Sequence, residues 1–231
     1  ATVEAERVVI ERVVRVGVRA DGTGTRVTLR DAVVRDTRTE TDGTYGYGLL
    51  ARVGATLTAQ RVGVLGNTSA GALAATRSTL TLTDTAILGT RDPGNDGPST
   101  GVQIQEGSTL TAERLAVVGN AGNGVIANDT NTRLTVTDGY VADTARTSTD
   151  RAIGVTTNNG ARSELRRCSV VRNEHVGVRV SGAGATSTIE DLTVRETRGE
   201  GGPDSLVGVG LRVSGAGASA TARRVRLGAN A

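Results

Sequence analysis

From Gly101 the chain reads Gly-Val-Gln-Ile to residue 104, Thr-Leu-Thr-Ala over 109–112, then Arg114, a strand-like run centred on Val117, and Asn120, before the pattern restarts at Gly124. This 23-residue unit decides the fold. Its opening Gly, followed by an aliphatic strand, recurs at Gly17, Gly48, Gly71, Gly101, Gly124, Gly154, Gly177 and Gly210, in steps of 31, 23, 30, 23, 30, 23 and 33 residues. Short and long units therefore alternate, and most neighbouring pairs span 53 residues. Each unit holds three short stretches of period-two alternation, the first like Gly-Val-Arg-Val at 177–180 and the second like Thr-Leu-Thr-Ala at 56–59. The third is centred on Val34, Val64, Ile87, Val117, Val141, Val170, Val194 and Leu227. Val and Thr dominate, as strand propensity favours. Such a unit, with no helix and no hairpin signal, must lay each strand beside its counterpart in the next unit, in parallel. The expected architecture is all-β: a single-stranded right-handed parallel β-helix of about eight coils of three strands, about 4.8 Å apart.

The coil length, the Gly-Val-x-Val strand and the Leu-x-polar-x-x-Val run resemble the right-handed parallel β-helix repeats of the pectin-lyase-like superfamily, over nearly the whole chain. The resemblance implies the fold but no single activity, because that fold carries lyases, hydrolases, adhesins and phage tailspikes. It also implies a location outside the cell. Residues 1–231 are expected to form one β-helix domain, a section of a longer solenoid with partial coils at 1–16 and 210–231. Neither end carries a polar cap, so neighbouring domains or subunits are expected to cover them.

Columns of the stack carry the charge. After the second stretch one column reads Arg7, Asp31, Arg61, Asp84, Arg114, Asp138, Arg167, Asp191, Arg224, alternating in sign throughout. Six residues further on, Thr37, Asn67, Thr90, Asn120, Thr144, Asn173, Thr197 and Asn230 alternate as strictly. Same-column residues are nearest neighbours, so each Asp is expected between two Arg, forming a ladder that penalises slippage by one coil. Asn at a corner tolerates the left-handed backbone, which is the role expected of the second column.

Composition excludes several functions. Twenty-seven basic residues, all Arg, stand against 24 acidic ones for a net charge of +3, with no long like-charge run. Aromatic residues make up 1% of the chain, too few for a base-stacking platform, so nucleic acid is not an expected partner; Arg162, Arg166, Arg167 and Arg172 form one local basic cluster. No apolar run is long enough to span a membrane. Cys168, the one cysteine, shares a column with Ala32, Val62, Thr85, Leu115, Leu192 and Val225 and reads as a core side chain. His175, the one histidine, reads as a surface turn residue.

Function is sought on the insertions that lengthen alternate units, residues 38–47, 91–100, 145–153 and 198–209, which fall on one side of the stack about 10 Å apart. Candidate ligand contacts there are Glu40, Asp42, Tyr45, Tyr47, Asp92, Asp96, Asp150 and Asp204, with Glu200 beside them. Asp92, Asn95 and Asp96 form a weak Ca²⁺ candidate, short of the six or more oxygens that hard cations take; no other cofactor is expected. In enzymes of the resembled superfamily the acids lie on the outward column of the first stretch. Here that column reads Arg19, Leu50, Leu73, Gln103, Ile126, Thr156, Arg179, Arg212, without an acid. The expected function is therefore a non-catalytic surface scaffold presenting loops to polysaccharide or other surface proteins. The alternatives are a carbohydrate-active β-helix acting through the long-loop face and, on Thr56/Thr58, Thr79/Thr81 and Thr109/Thr111, an ice-binding Thr face interrupted by Arg133, Arg162 and Glu164.

Overall fold

The computed structural model describes residues 1–94, 99–147, 152–199 and 208–230. Among these there is no helix, and every strand pairs in parallel. The first stretches stack into an 8-stranded sheet, and the second and third into a 12-stranded one. Register follows the repeat: Leu49 pairs with Ala72, Ala72 with Val102, Val102 with Val125, and Val125 with Val155. The layered parallel β-helix is thus observed.

One expectation changes. The second and third stretches are mostly a single bent strand, as in Arg26–Arg35, Thr56–Leu65, Thr79–Leu88 and Thr109–Val118. The bend falls on the Arg/Asp column, where Asp31, Arg61, Asp84 and Arg114 have φ of 51°, 52°, 50° and 51°. A left-handed residue turns the strand through a corner while both flanking arms stay in register with the next coil. The Asn column, expected to take this conformation, does not; Asn67, Asn120 and Asn173 are buried inside the coil instead.

The interior is filled by aliphatic ladders in which like stacks on like, for example Val34, Val64, Ile87 and Val117. Cys168 belongs to this core, 5% exposed, with burial pushing its thiol pKa up. The repeated Gly is required by space. A Cβ on Gly101 would lie 2.4 Å from Val117 Cγ1 and 2.7 Å from the carbonyl oxygen of Gly124, and Gly48, Gly71, Gly154 and Gly177 face equivalent atoms.

Candidate functional site

The charge ladder closes in pairs. Arg61 donates Nε to Asp31 Oδ1 at 2.6 Å and Nη2 to Oδ2 at 2.7 Å. Arg167 forks onto Asp138 at 2.7 and 2.9 Å, and Arg114 on Asp84 and Arg224 on Asp191 repeat the arrangement. Each fork reaches back across the long step. Across the short step Arg61 acts on Asp84 through its charge only, so each Asp stands between two Arg as expected but is hydrogen-bonded by one of them. Hydrogen bonds from these arginines, opposed by partial desolvation, hold Asp31, Asp84, Asp138 and Asp191 below the usual carboxylate range.

The Asn column makes the same choice inside the coil. Asn67, Asn120, Asn173 and Asn230 each accept through Oδ1 from the backbone N–H of Thr37, Thr90, Thr144 and Thr197, at 3.0, 2.9, 3.2 and 3.0 Å. Three of the amides also donate, to the carbonyls of Val34, Ile87 and Val141. Forks outside and amides inside thus bind the same pairs of coils.

Of the long-loop candidates, Glu40, Asp42, Tyr45 and Tyr47 come together in one small hairpin closed by the antiparallel bridge Thr39–Tyr45. Its acids are engaged locally. Glu40 pairs with Arg15 at 3.0 Å, and Asp42 Oδ1 accepts from the backbone N–H and hydroxyl of Thr44 at 2.9 and 2.7 Å. Those bonds from Thr44 hold Asp42 below the carboxylate range. The Arg15 guanidinium sits 4.5 Å from the Tyr45 ring centre, and the Tyr45 and Tyr47 rings meet edge to face at 5.9 Å. Burial pushes the Tyr47 phenol upward. Asp92 is turned into its own loop, accepting from Gly94 N at 2.9 Å. Asn95, Asp96, Asp150, Glu200 and Asp204 lie outside the described residues. Among the described residues no three His, Cys, Asp or Glu side chains are grouped as metal ligands would be.

The outward column of the first stretch is not an open floor. Leu50 and Leu73 are buried there and Thr156 is 0% exposed, whereas Arg19 is exposed, so this sheet face is covered over part of its length where sequence periodicity suggested solvent. His175 is likewise buried, at a left-handed corner of φ 86° matching Ser69 and Gly122 at 74° and 69°, and is no surface residue. Sequence reasoning missed a strip of amides along the turn after the first stretch. Asn128 Oδ1 accepts from Asn158 Nδ2 at 3.2 Å and Asn159 Nδ2 at 3.1 Å, Ser181 donates to Asn158, and Gln103 donates to Gln105. Glu106 and Asp129 adjoin this strip, Glu106 accepting from the Thr76 hydroxyl and Asp129 from the Glu106 backbone N–H. The readable signal was polar amides two residues beyond the outward column in successive units.

Parallel coils braced inside and out by side-chain pairs define a β-helical solenoid. A family model described as the right-handed β-helix region matches residues 7–194, and the chain belongs to that family. No curated protein and no solved structure matches it. No helix among the described residues is long and apolar enough to cross a membrane.

Proposed function

We propose that the chain is a non-catalytic scaffold outside the cell, a rigid stack that presents its long loops to polysaccharide or other surface proteins. The observation that carries this reading is where the acids of the first described loop go. Glu40 is bound to Arg15 and Asp42 to Thr44, so they brace the hairpin beside the half-buried Tyr45 and Tyr47. A glycosidase needs two carboxylates held either side of one bond. Carboxylates tied into turns and ion pairs serve display better than proton transfer.

The test is a glycan array alongside turnover assays on a polysaccharide panel, with and without Ca²⁺. The scaffold reading expects binding without turnover, with binding weakened by Tyr45→Ala. Turnover abolished by Asp42→Ala would replace it with the carbohydrate-active reading. One further observation favours the Thr-face alternative: Thr28, Thr58, Thr81, Thr111 and Thr135 pair in unbroken register. Inhibition of ice recrystallisation, lost in Thr81→Tyr, is its assay.

A further inference from the structure

The sequence holds two Asn-Gly pairs, Asn123-Gly124 and Asn159-Gly160, and the fold treats them oppositely. In such a pair the side-chain amide is open to attack by the following backbone nitrogen, because glycine has no Cβ to shield it. Asn123 is 9% exposed and lies in the strand Asn123–Ala127, in register with Thr100. Gly124 is wedged between coils: a Cβ on it would stand 2.5 Å from the carbonyl oxygen of Gly154 and 2.6 Å from Val141 Cγ1. Neither residue can turn without parting the stack.

Asn159-Gly160 is the corner that follows the strand Ile153–Asn158, at the opposite end of that strand from the long loops. Asn159 is exposed with φ of 50°, and Gly160 has φ of 81°. Two backbone bonds hold the corner: Asn159 N–H donates to Ser181 O at 3.0 Å, and Ala161 N–H to Asn158 O at 3.1 Å. The N–H of Gly160 donates to no group among the described residues. Packing also keeps glycine here, since a Cβ at 160 would stand 2.7 Å from Thr130 Cγ2. The reactive nitrogen is thus unengaged, and the amide beside it is at the surface.

We propose that Asn159 is a site of spontaneous deamidation, and that its conversion puts a charge into the amide strip along this turn. The Gly160 nitrogen bonds to Cγ of Asn159, the Cγ–Nδ2 bond breaks, and ammonia leaves with the proton of the Gly160 N–H. Water then opens the five-membered imide at either carbonyl, leaving aspartate or isoaspartate. The attack requires rotation about the Asn159 Cα–C bond, which an exposed corner allows by local opening and the sheet at Asn123 does not. Asn159 shares its column with Asp129 and Glu106, as the register of Thr157, Ala127 and Ile104 requires. Those two acids hold the same left-handed corner at φ of 76° and 56°, so aspartate fits at 159. Its carboxylate replaces the Nδ2 donor that reaches Asn128 Oδ1 at 3.1 Å, and lines up three acids about 4.8 Å apart in successive coils. Like charges so placed repel, and the strip loosens. The change needs no enzyme and does not rest on the scaffold reading.

The full chain, native and unfolded in urea, is incubated side by side in mildly alkaline buffer, and peptide mass spectrometry follows amide-to-acid conversion at both asparagines. In urea the two are expected to convert at comparable rates. In the native chain Asn159 is expected to convert at least about tenfold faster than Asn123, because only Asn123 must wait for a sheet strand to open. Asn159→Gln, whose longer side chain cannot close the five-membered ring, is expected to stop conversion at that position and leave Asn123 as it was. Asn159→Asp, identical to the aspartate product, is expected to melt about 2–4 °C below the parent chain at neutral pH. Three results would each overturn the proposal: a native chain that keeps Asn159 intact while the unfolded one loses it, native conversion of Asn123 at a rate comparable to that of Asn159, or Asn159→Asp melting with the parent.

Discussion

Gly101→Ala sets two opposed effects against each other. In a strand of ordinary backbone conformation, replacing Gly by Ala stabilises by about 0.5–1 kcal/mol, because the unfolded chain loses freedom. At Gly101 the new methyl would stand 2.4 Å from Val117 Cγ1, 2.7 Å from Gly124 O and 3.1 Å from Asn120 Nδ2. Val117 is β-branched and fully buried, and the carbonyl belongs to the next coil's backbone, so neither can swing aside. Overpacking of this kind costs about 1–3 kcal/mol, and the upper end applies because relief requires coils to move apart. The net loss expected is about 2 kcal/mol, a fall in melting temperature of about 4–8 °C for a chain of this size. Gly63→Ala is the matched control. Its φ is also ordinary, its nearest neighbour atom is 3.8 Å away, and the same column holds Ala86 and Ala116 in the following coils. That variant is expected to melt unchanged or higher. Far-UV circular dichroism during heating reads both. If Gly101→Ala melts as high as Gly63→Ala, the close approach of Val117 does not explain the glycine repeat.

Asn120→Ala leaves the Thr90 N–H and the Ile87 carbonyl buried without their side-chain partner, so a loss of about 2–4 kcal/mol is expected in chemical unfolding. Asp31, Asp84, Asp138 and Asp191 hold their protons less readily folded than unfolded. The stability they contribute is therefore complete above the ordinary aspartate pKa of about 3.9 and lost as pH falls through their lower folded values. Melting temperature should be level from about pH 7 to 5 and decline below about 4, less steeply in Asp31→Asn, with high salt weakening the difference. Cys168, buried and with its thiol pKa raised, should react with a thiol reagent at the rate of unfolding; rapid labelling of the native chain would place it elsewhere than the core.

Periodicity made the stacking legible down to individual neighbours, because side chains at one repeat position in a parallel coil must lie over one another. Arg61 and Asp31, Asn67 and Thr37, and Cys168 in its aliphatic column are all where the repeat puts them. A period cannot show which of two equivalent neighbours a long side chain will choose, since that depends on rotamer and corner geometry. So the paired forks, and the left-handed turn at Asp31 in place of Asn67, are decided by the packing of the folded chain. Cover over a sheet face is equally invisible to alternation along a strand. Leu50, Leu73 and Thr156 alternate as outward residues do, yet they are buried. The hydrophobic character of Leu50 and Leu73 was the clue, because apolar side chains in an outward column call for a covering layer.

The two-coil period has a mechanical reading that bears on function. Coils joined by a short step are tied closely by their own chain. The Asp-to-Arg steps of the long units cover 30, 30, 29 and 33 residues, and these carry the guanidinium forks and the Asn-to-Thr backbone bonds. Side chains thus brace the contacts where the covalent connection is longest. An insertion placed between braced coils can change in length and sequence without shifting the register beneath it, since the bonds that set the register do not pass through the loop. The first described loop obeys this division: its acids fold the hairpin, Tyr45 and Tyr47 meet edge to face beside it, and the coils below are held by Asp31–Arg61 and Thr37–Asn67. A solenoid built this way separates the bonds that keep it stacked from the loops that can vary, which is what the proposed scaffold function would need.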